Sequence, residues 1–278
     1  MKSRRWRIRA GLPLAGWILP FAVGKRADAG KVRQGGLMTI RFRRVDRSQA
    51  KAWLGRQWRE WRWYLFFFCF VWVPLRSAVI DYSPVPTGSM NPTILEGDVV
   101  WVNKLAYGLR VPLTRHYVTR WAEPARGDIV VVLSPKDGTR LVKRVVGVPG
   151  DTLALQDNHL VLNGRTVDYW PAAENYGAMI SRRLQPHAFF AEEDLAGMEH
   201  PVMGLRGVSP AGRSFPELTV PEGGYFLMGD SRDNSRDSRE FGFAARDAIL
   251  GKAEGIIVSL DLNDTYLPRT GRFFTELK

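Results

Sequence analysis

Serine and lysine are the side chains best placed for chemistry in this chain of 278 residues. The one cysteine, Cys69, lies inside an apolar run that favours neither thiolate nor access, and it has no disulfide partner. The histidines at 116, 159, 187 and 200 form no His-Glu-x-x-His pattern, so neither a metal nor any other cofactor is expected. Ser89 stands out. It sits in Pro84–Asp98 (PVPTGSMNPTILEGD), where Pro84 and Pro86 hold the chain extended, Gly88 permits a backbone shape that a side chain would block, and Pro92 restrains the backbone beyond the turn. A serine displayed on such a turn can act as a nucleophile, although on this fragment alone a plain turn serine is the simpler account.

A nucleophilic serine needs a base. No histidine lies in a telling context, and the Gly-x-Ser-x-Gly elbow is missing. Lysine serves if it is uncharged; a free lysine titrates near ~10.4, so it must be desolvated to act at neutral pH. Five lysines come after residue 80. Lys136 belongs to a turn with Pro135, Asp137 and Gly138, Lys252 lies between Gly251 and Glu254, and Lys278 is terminal. Lys143 alone stands in a strand-like run, Leu141–Val148 (LVKRVVGV), where its same-face neighbours are Leu141 and Val145 and Arg144 points the other way. Lys104 competes, beside Trp101 and Val102, but Asn103 and the stretch Leu105-Ala106-Tyr107-Gly108 read as a strand end. The pattern favours Lys143. A literal Ser-x-x-Lys at Ser48–Lys51 has no Lys-Thr-Gly partner and is read as chance.

A third segment, Gly229–Gly242 (GDSRDNSRDSREFG), packs seven charges and three serines directly after the apolar Tyr225–Met228. A solvated loop is the bland account. Arg and Asp at close spacing instead suggest an ion-paired, rigid loop that presents a serine hydroxyl to orient a buried amine.

The elements that position these residues read as strands. Asp98–Val102, Asp128–Leu133 and Leu141–Val148 are short β-branched runs. Thr152–Gln156, His159–Leu162 and Arg165–Val167 form a meander closed by Asp157-Asn158 and Asn163-Gly164, the latter a strong hairpin signal. Tyr225–Met228 and Ala253–Leu260 add strands, and Arg246–Leu250 has room for one helical turn. An all-β, antiparallel, multi-sheet domain is expected over 81–278, with 168–220 inserted as a smaller β-rich lobe or a long loop.

Upstream the character changes. Residues 1–62 carry 17 Lys+Arg against 3 Asp+Glu, whereas the remainder carries 23 against 25. Positive charge confined to one end, ahead of an apolar run, points to an acidic membrane surface and away from nucleic acid. Trp63–Ile80 (WYLFFFCFVWVPLRSAVI) is expected to be a transmembrane helix, with Pro74 kinking it and Arg76 reaching the interface. Ala52–Trp63 alternates Trp with Arg, as suits the headgroup zone. The basic flank predicts that residues 1–62 stay cytoplasmic and residue 81 onward is exported. Gly11–Val23, apolar but short and with two prolines, resembles a signal-peptide core more than a span, and the sequence is compatible with a start at Met1 or Met38.

Taken in order, these blocks resemble the type I signal peptidase family. Thr87-Gly88-Ser89-Met90 with Asn91-Pro92-Thr93 is similar to its serine motif, and Gly97–Val100 with Asn103, Lys104, Tyr107 and Gly108 to the next block. Arg126–Val130, Leu141–Val145 and Gly147–Asp151 are similar to its lysine block, and Gly229–Ser235 with Asp237, Ser238 and Arg239 to its last. The resemblance covers about residues 65–261 and implies a serine endopeptidase that removes N-terminal signal peptides from exported pre-proteins after small residues. It implies Ser89 as nucleophile, Lys143 as general base, and the Ser89 N–H with the Thr87 hydroxyl as oxyanion hole. Ser235 would hold the lysine amine, and Arg232, Asp237 and Arg239 would brace the loop. The family often has serine at the position of Thr87 and asparagine at that of Ser231; its proteobacterial members often have two spans, where this chain shows one. The implied setting is a bacterial inner membrane crossed once, with the catalytic domain on the periplasmic side and the bilayer, signal peptides and secretion machinery as partners. A specialised relative maturing pilin or conjugation proteins, and a non-catalytic anchored β-domain, are the competing readings.

Overall fold

The computed structural model describes residues 47–114, 116–172, 175–208, 212–262 and 266–277. Gly11–Val23 and both candidate start positions lie outside them. Helix α1 (Arg47–Phe67) runs into a π-helical turn at Phe68–Trp72 and then α2 (Val73–Ala78). Pro74 falls in the first turn of α2, and the wider turn before it accommodates the missing N–H. Helical backbone thus starts well before Trp63 and ends at Ala78, because Ile80 is already strand, paired with Asn103. No helix among the described residues is long and apolar enough to cross a membrane.

The strands come in chain order. β1 (Ile80–Pro84), β2 (Asp98–Asn103), the hairpin β3 (Gly108–Arg110) and β4 (Tyr117–Arg120), β5 (Ile129–Leu133) and β6 (Arg140–Gly147) lead. β7 (Thr152–Gln156), β8 (His159–Leu162) and β9 (Arg165–Thr166) form the expected meander. Its two tight turns hold positive φ, 48° and 65° at Asp157-Asn158 and 52° and 75° at Asn163-Gly164, the twist that two-residue hairpins require. β10 (Tyr169–Pro171), β11 (Ala188–Asp194) and β12 (Glu199–Leu205) make a separate three-stranded sheet. β13 (Phe215–Thr219) joins β7 instead. β14 (Gly224–Met228), the single-turn α3 (Ser238–Phe241), β15 (Ala244–Ala245), β16 (Ile249–Ser259) and β17 (Thr275–Glu276) complete the chain. Arg246–Ala248 makes one 3-10 turn before β16 begins at Ile249.

The main sheet runs β1-β2-β16-β5-β6-β14-β15, with β17 against β16. Its named pairs are antiparallel. Alternation sends Val100, Val102, Ile129, Val131 and Val142 into one apolar cluster and Val130, Val132, Val145 and Leu227 into another. A third cluster, with Leu153, Leu155, Leu160 and Phe226, joins the meander to β14. Leu95, Ile180, Met203 and Leu205 join the small sheet to the segment just past Ser89.

Candidate active site

Ser89 lies on the turn after β1. Val85 fixes the approach: its N–H donates to Asp98 O and its carbonyl accepts from Gly97 N, both at 2.9 Å. Met90 and Ile94 sink into the first apolar cluster and anchor the far side of the turn. Gly88 is required by neighbours, since a Cβ there would lie 2.3 Å from Glu96 Oε1 and 2.5 Å from Asn91 Nδ2. Local packing therefore fixes where Ser89 Oγ projects.

Lys143 occupies the middle of β6, between β5 and β14, with Val130 directly opposite. Leu141, Val145, Val130 and Leu227 crowd its side of the sheet, and it is 1% exposed. Its amine reaches Ser89 Oγ at 2.6 Å and donates to Val142 O at 3.0 Å. Burial pushes the amine down to about 8, against the opposing pull of Asp237 and Asp230. At pH 7 about one molecule in ten then carries the free base, against roughly one in three thousand for an exposed lysine. Lys104, the competitor, donates to Ser77 O and pairs with Asp81, both at 3.1 Å, at the end of α2.

The other expected residues divide. The Thr87 hydroxyl is exposed, and neither it nor the Ser89 N–H has a hydrogen-bond partner among the described residues. Asp237 and Arg239 form a two-pronged pair at 2.8 Å, and Asp237 Oδ2 also accepts from Gly229 N at 3.0 Å, tying the loop to the end of β14. Burial would raise the Asp237 carboxyl, but Arg239 and the Gly229 N–H hold it below the usual range. Arg232 turns away to Glu193 of β11. Ser235 Oγ is buried beside Gly229 and makes no hydrogen bond to the lysine amine, whose two bonds go to Ser89 and Val142.

Sequence reasoning missed the role of the buried cation next to Lys143. Arg144, on the opposite face from Lys143, is fully buried and grips Asp230 through Nε at 2.9 Å and Nη2 at 2.8 Å, with Nη1 donating to Gly127 O at 3.0 Å. Asp230 also accepts from Thr93 Oγ1 at 2.5 Å. It missed Glu193 and His200 as well, 3.1 Å apart inside the small sheet. Asp230 had a signal in its charged motif. Glu193 and His200 had none, since their partners are remote in sequence. Among the described residues no group of three His, Cys, Asp or Glu side chains could hold a metal ion.

An amine of lowered pKa beside a serine hydroxyl, on an antiparallel β-scaffold, is the equipment of the serine endopeptidase class. The family model described as "Signal peptidase, peptidase S26" matches residues 58–258. Signal peptidase I of Pseudomonas fluorescens is 35% identical over 204 residues, covering 68% of this chain and 69% of the relative. That of Buchnera aphidicola subsp. Acyrthosiphon pisum is 31% identical over 229 residues, covering 70% and 73%. That of Pseudomonas aeruginosa is 37% identical over 172 residues, covering 61% and 58%. The chain belongs to the signal peptidase (peptidase S26) family.

Proposed function

We propose that this chain is a membrane-anchored serine endopeptidase that removes N-terminal signal peptides from exported pre-proteins. One observation carries the reading: a lysine amine that is 1% exposed and titrates near 8 lies 2.6 Å from a serine hydroxyl. That is hydrogen-bond reach for a general base.

Lys143, uncharged, takes the Ser89 proton as Oγ attacks the scissile carbonyl carbon. The Ser89 N–H and the Thr87 hydroxyl donate to the oxyanion that forms. The Lys143 ammonium returns the proton to the leaving amine, which becomes the amino terminus of the mature protein. The signal peptide stays behind as an ester on Ser89 until water, deprotonated by Lys143, releases it. Ser235 Oγ, buried beside Gly229, is the hydroxyl that takes up the Lys143 amine once Ser89 Oγ turns to the scissile carbonyl, and Arg232, Asp237 and Arg239 brace the loop. β1 is an edge strand that leads directly to Ser89, so an extended substrate can add beside it and present alternate side chains to the site. Side chains one and three positions before the cut would then face the site together, and small ones are expected there.

Phe66, Phe67, Phe68, Phe70 and Trp72 stand exposed along the helical run. Apolar surface on that scale calls for cover, and a bilayer supplies it. The 17 Lys+Arg of residues 1–62 then keep that end cytoplasmic and the β-domain on the outer face of a bacterial inner membrane, near the secretion machinery. Ser89 lies nine residues past Ile80, at most roughly 30 Å of extended chain, so the site stays close to where a signal peptide leaves the bilayer.

The test is cleavage of a pre-protein by the full chain in detergent, comparing wild type with Ser89→Ala and Lys143→Met. Both variants are expected to fold and to lose cleavage. Wild-type rates in either would remove its assigned role.

A further inference from the structure

Each strand of the small sheet sends one side chain to the same buried point. Glu193 of β11 is fully enclosed, and its carboxylate receives Arg232 Nη1 at 2.9 Å, a shorter bond from Arg232 Nη2, and the Tyr169 hydroxyl of β10. His200 Nε2 of β12 lies 3.1 Å away. The backbone of β12 holds the same stretch of loop. Met203 N donates to Asp230 O and Arg232 N donates to Met203 O, each at 2.8 Å. Between those two anchors, Ser231 N donates to Ser89 O at 3.2 Å. The Asp230 carboxylate meanwhile joins Arg144, next to Lys143 in β6, and Thr93, four residues beyond Ser89.

The three residues 230–232 thus contact the main chain of Ser89, the strand of Lys143 and the small sheet together. Left to itself, a run this polar would sample many backbone states. Residue 231 can hold the Ser89 carbonyl only while 230 and 232 are fixed, and β12 and Glu193 fix them.

We propose that the three-stranded sheet within residues 169–205 positions the nucleophile, with Glu193 as a positioning residue that acts through Arg232 on the segment carrying the Ser231 N–H. The proposal rests on the Ser89/Lys143 reading and gives the inserted sheet a role in that reaction. Fold stability alone does not call for this pair, since a buried ion pair replaced whole by apolar side chains is often neutral or stabilising. The pair supplies direction: its two-pronged geometry fixes Arg232, and with it the register of 230–232 against β12.

The experiment removes both charges together, in the full chain, with a pre-protein as substrate. Glu193→Leu/Arg232→Met is expected to fold, with a melting temperature lowered because the Tyr169 hydroxyl and His200 lose their buried partner. It is expected to keep a KM within about twofold while kcat falls roughly ten- to hundredfold, the scale of a displaced reacting group. The acid limb of its pH profile is expected to move to higher pH as the Lys143 amine becomes wetter. A folded double variant with wild-type kcat and an unmoved limb overturns the proposal. If that variant does not fold, Arg232→Lys decides, because it keeps the charge and loses the fork. Reduced kcat at unchanged KM supports positioning, and wild-type kcat overturns it. Ser89→Ala assayed alongside separates the two levels: cleavage by that variant would end the Ser/Lys reading whatever Glu193 does.

Discussion

An exposed lysine holds its proton until pH ~10.4, so the chemistry assigned to Lys143 depends on what its strand does to it. Burial lowers the amine to about 8; Asp237 and Asp230 pull it back up, and Arg239 and Arg236 push it down. The shift disfavours the charged form by about 3 kcal/mol. The working form is the free base, so activity is gained as pH rises. We expect kcat/KM to climb about tenfold per unit below pH 8 and level off above it. A pH–rate profile of pre-protein cleavage checks this, and a flat line between pH 6 and 9 would remove Lys143 as the base. Thr87 makes a separate prediction. Its hydroxyl is unengaged among the described residues, so Thr87→Val should cost on the order of a hundredfold in kcat with little change in KM. Thr87→Ser should retain activity. Equal rates in the valine and serine variants would take Thr87 out of the oxyanion hole.

Elements bring these residues together at the end of β14, where Gly229 touches both halves of the site. A Cβ there would lie 2.3 Å from Ser235 Oγ and 2.3 Å from Ser89 O. The second contact is backbone and cannot swing aside. Gly229→Ala should therefore push the serine turn off its position, destabilising the protein by roughly 1–3 kcal/mol and abolishing cleavage. Gly271→Ala, with nothing within 4 Å, is the control. A Gly229→Ala protein as stable and active as that control would contradict the contact. How far the sequence revealed these elements depends on range. β7 and β8 were legible to the residue because period-two alternation and turn chemistry are local. The Lys143 environment was legible for the same reason, through Leu141 and Val145. The start of α1 was not, because Trp and Arg alternating over Ala52–Trp63 show no clear helical stripe. The small sheet was expected only as a β-rich lobe or a long loop somewhere in 168–220, without its strands or its register. Its grip on the loop depends on Glu193 and Arg232, 39 residues apart, and no local pattern records that pair.

At the scale of the whole molecule, the buried carboxylates tie the sheets to the loop, and their protonation sets an acid limit. Burial would raise Glu193, Asp230 and Asp237. Arg232 and His200 around the first, Arg144 around the second and Arg239 around the third outweigh it, so all three sit below the ordinary carboxylate range. A carboxyl that is more acidic folded than unfolded stabilises the fold above its unfolded pKa, about 4, and loses that contribution as pH falls through its folded value. Each adds a slope of about 1.4 kcal/mol per pH unit between the two. The three groups serve different joins: Glu193 the small sheet, Asp230 the lysine strand, Asp237 the loop end. Acid should therefore loosen the site and the fold together. The melting temperature should fall steeply from about pH 4 toward pH 2. Glu193→Leu/Arg232→Met carries one linked carboxylate fewer, so its melting temperature should fall less steeply over the same range. Calorimetry of both proteins across that range measures the difference, and identical slopes would mean that Glu193 is not among the groups whose protonation unfolds the chain.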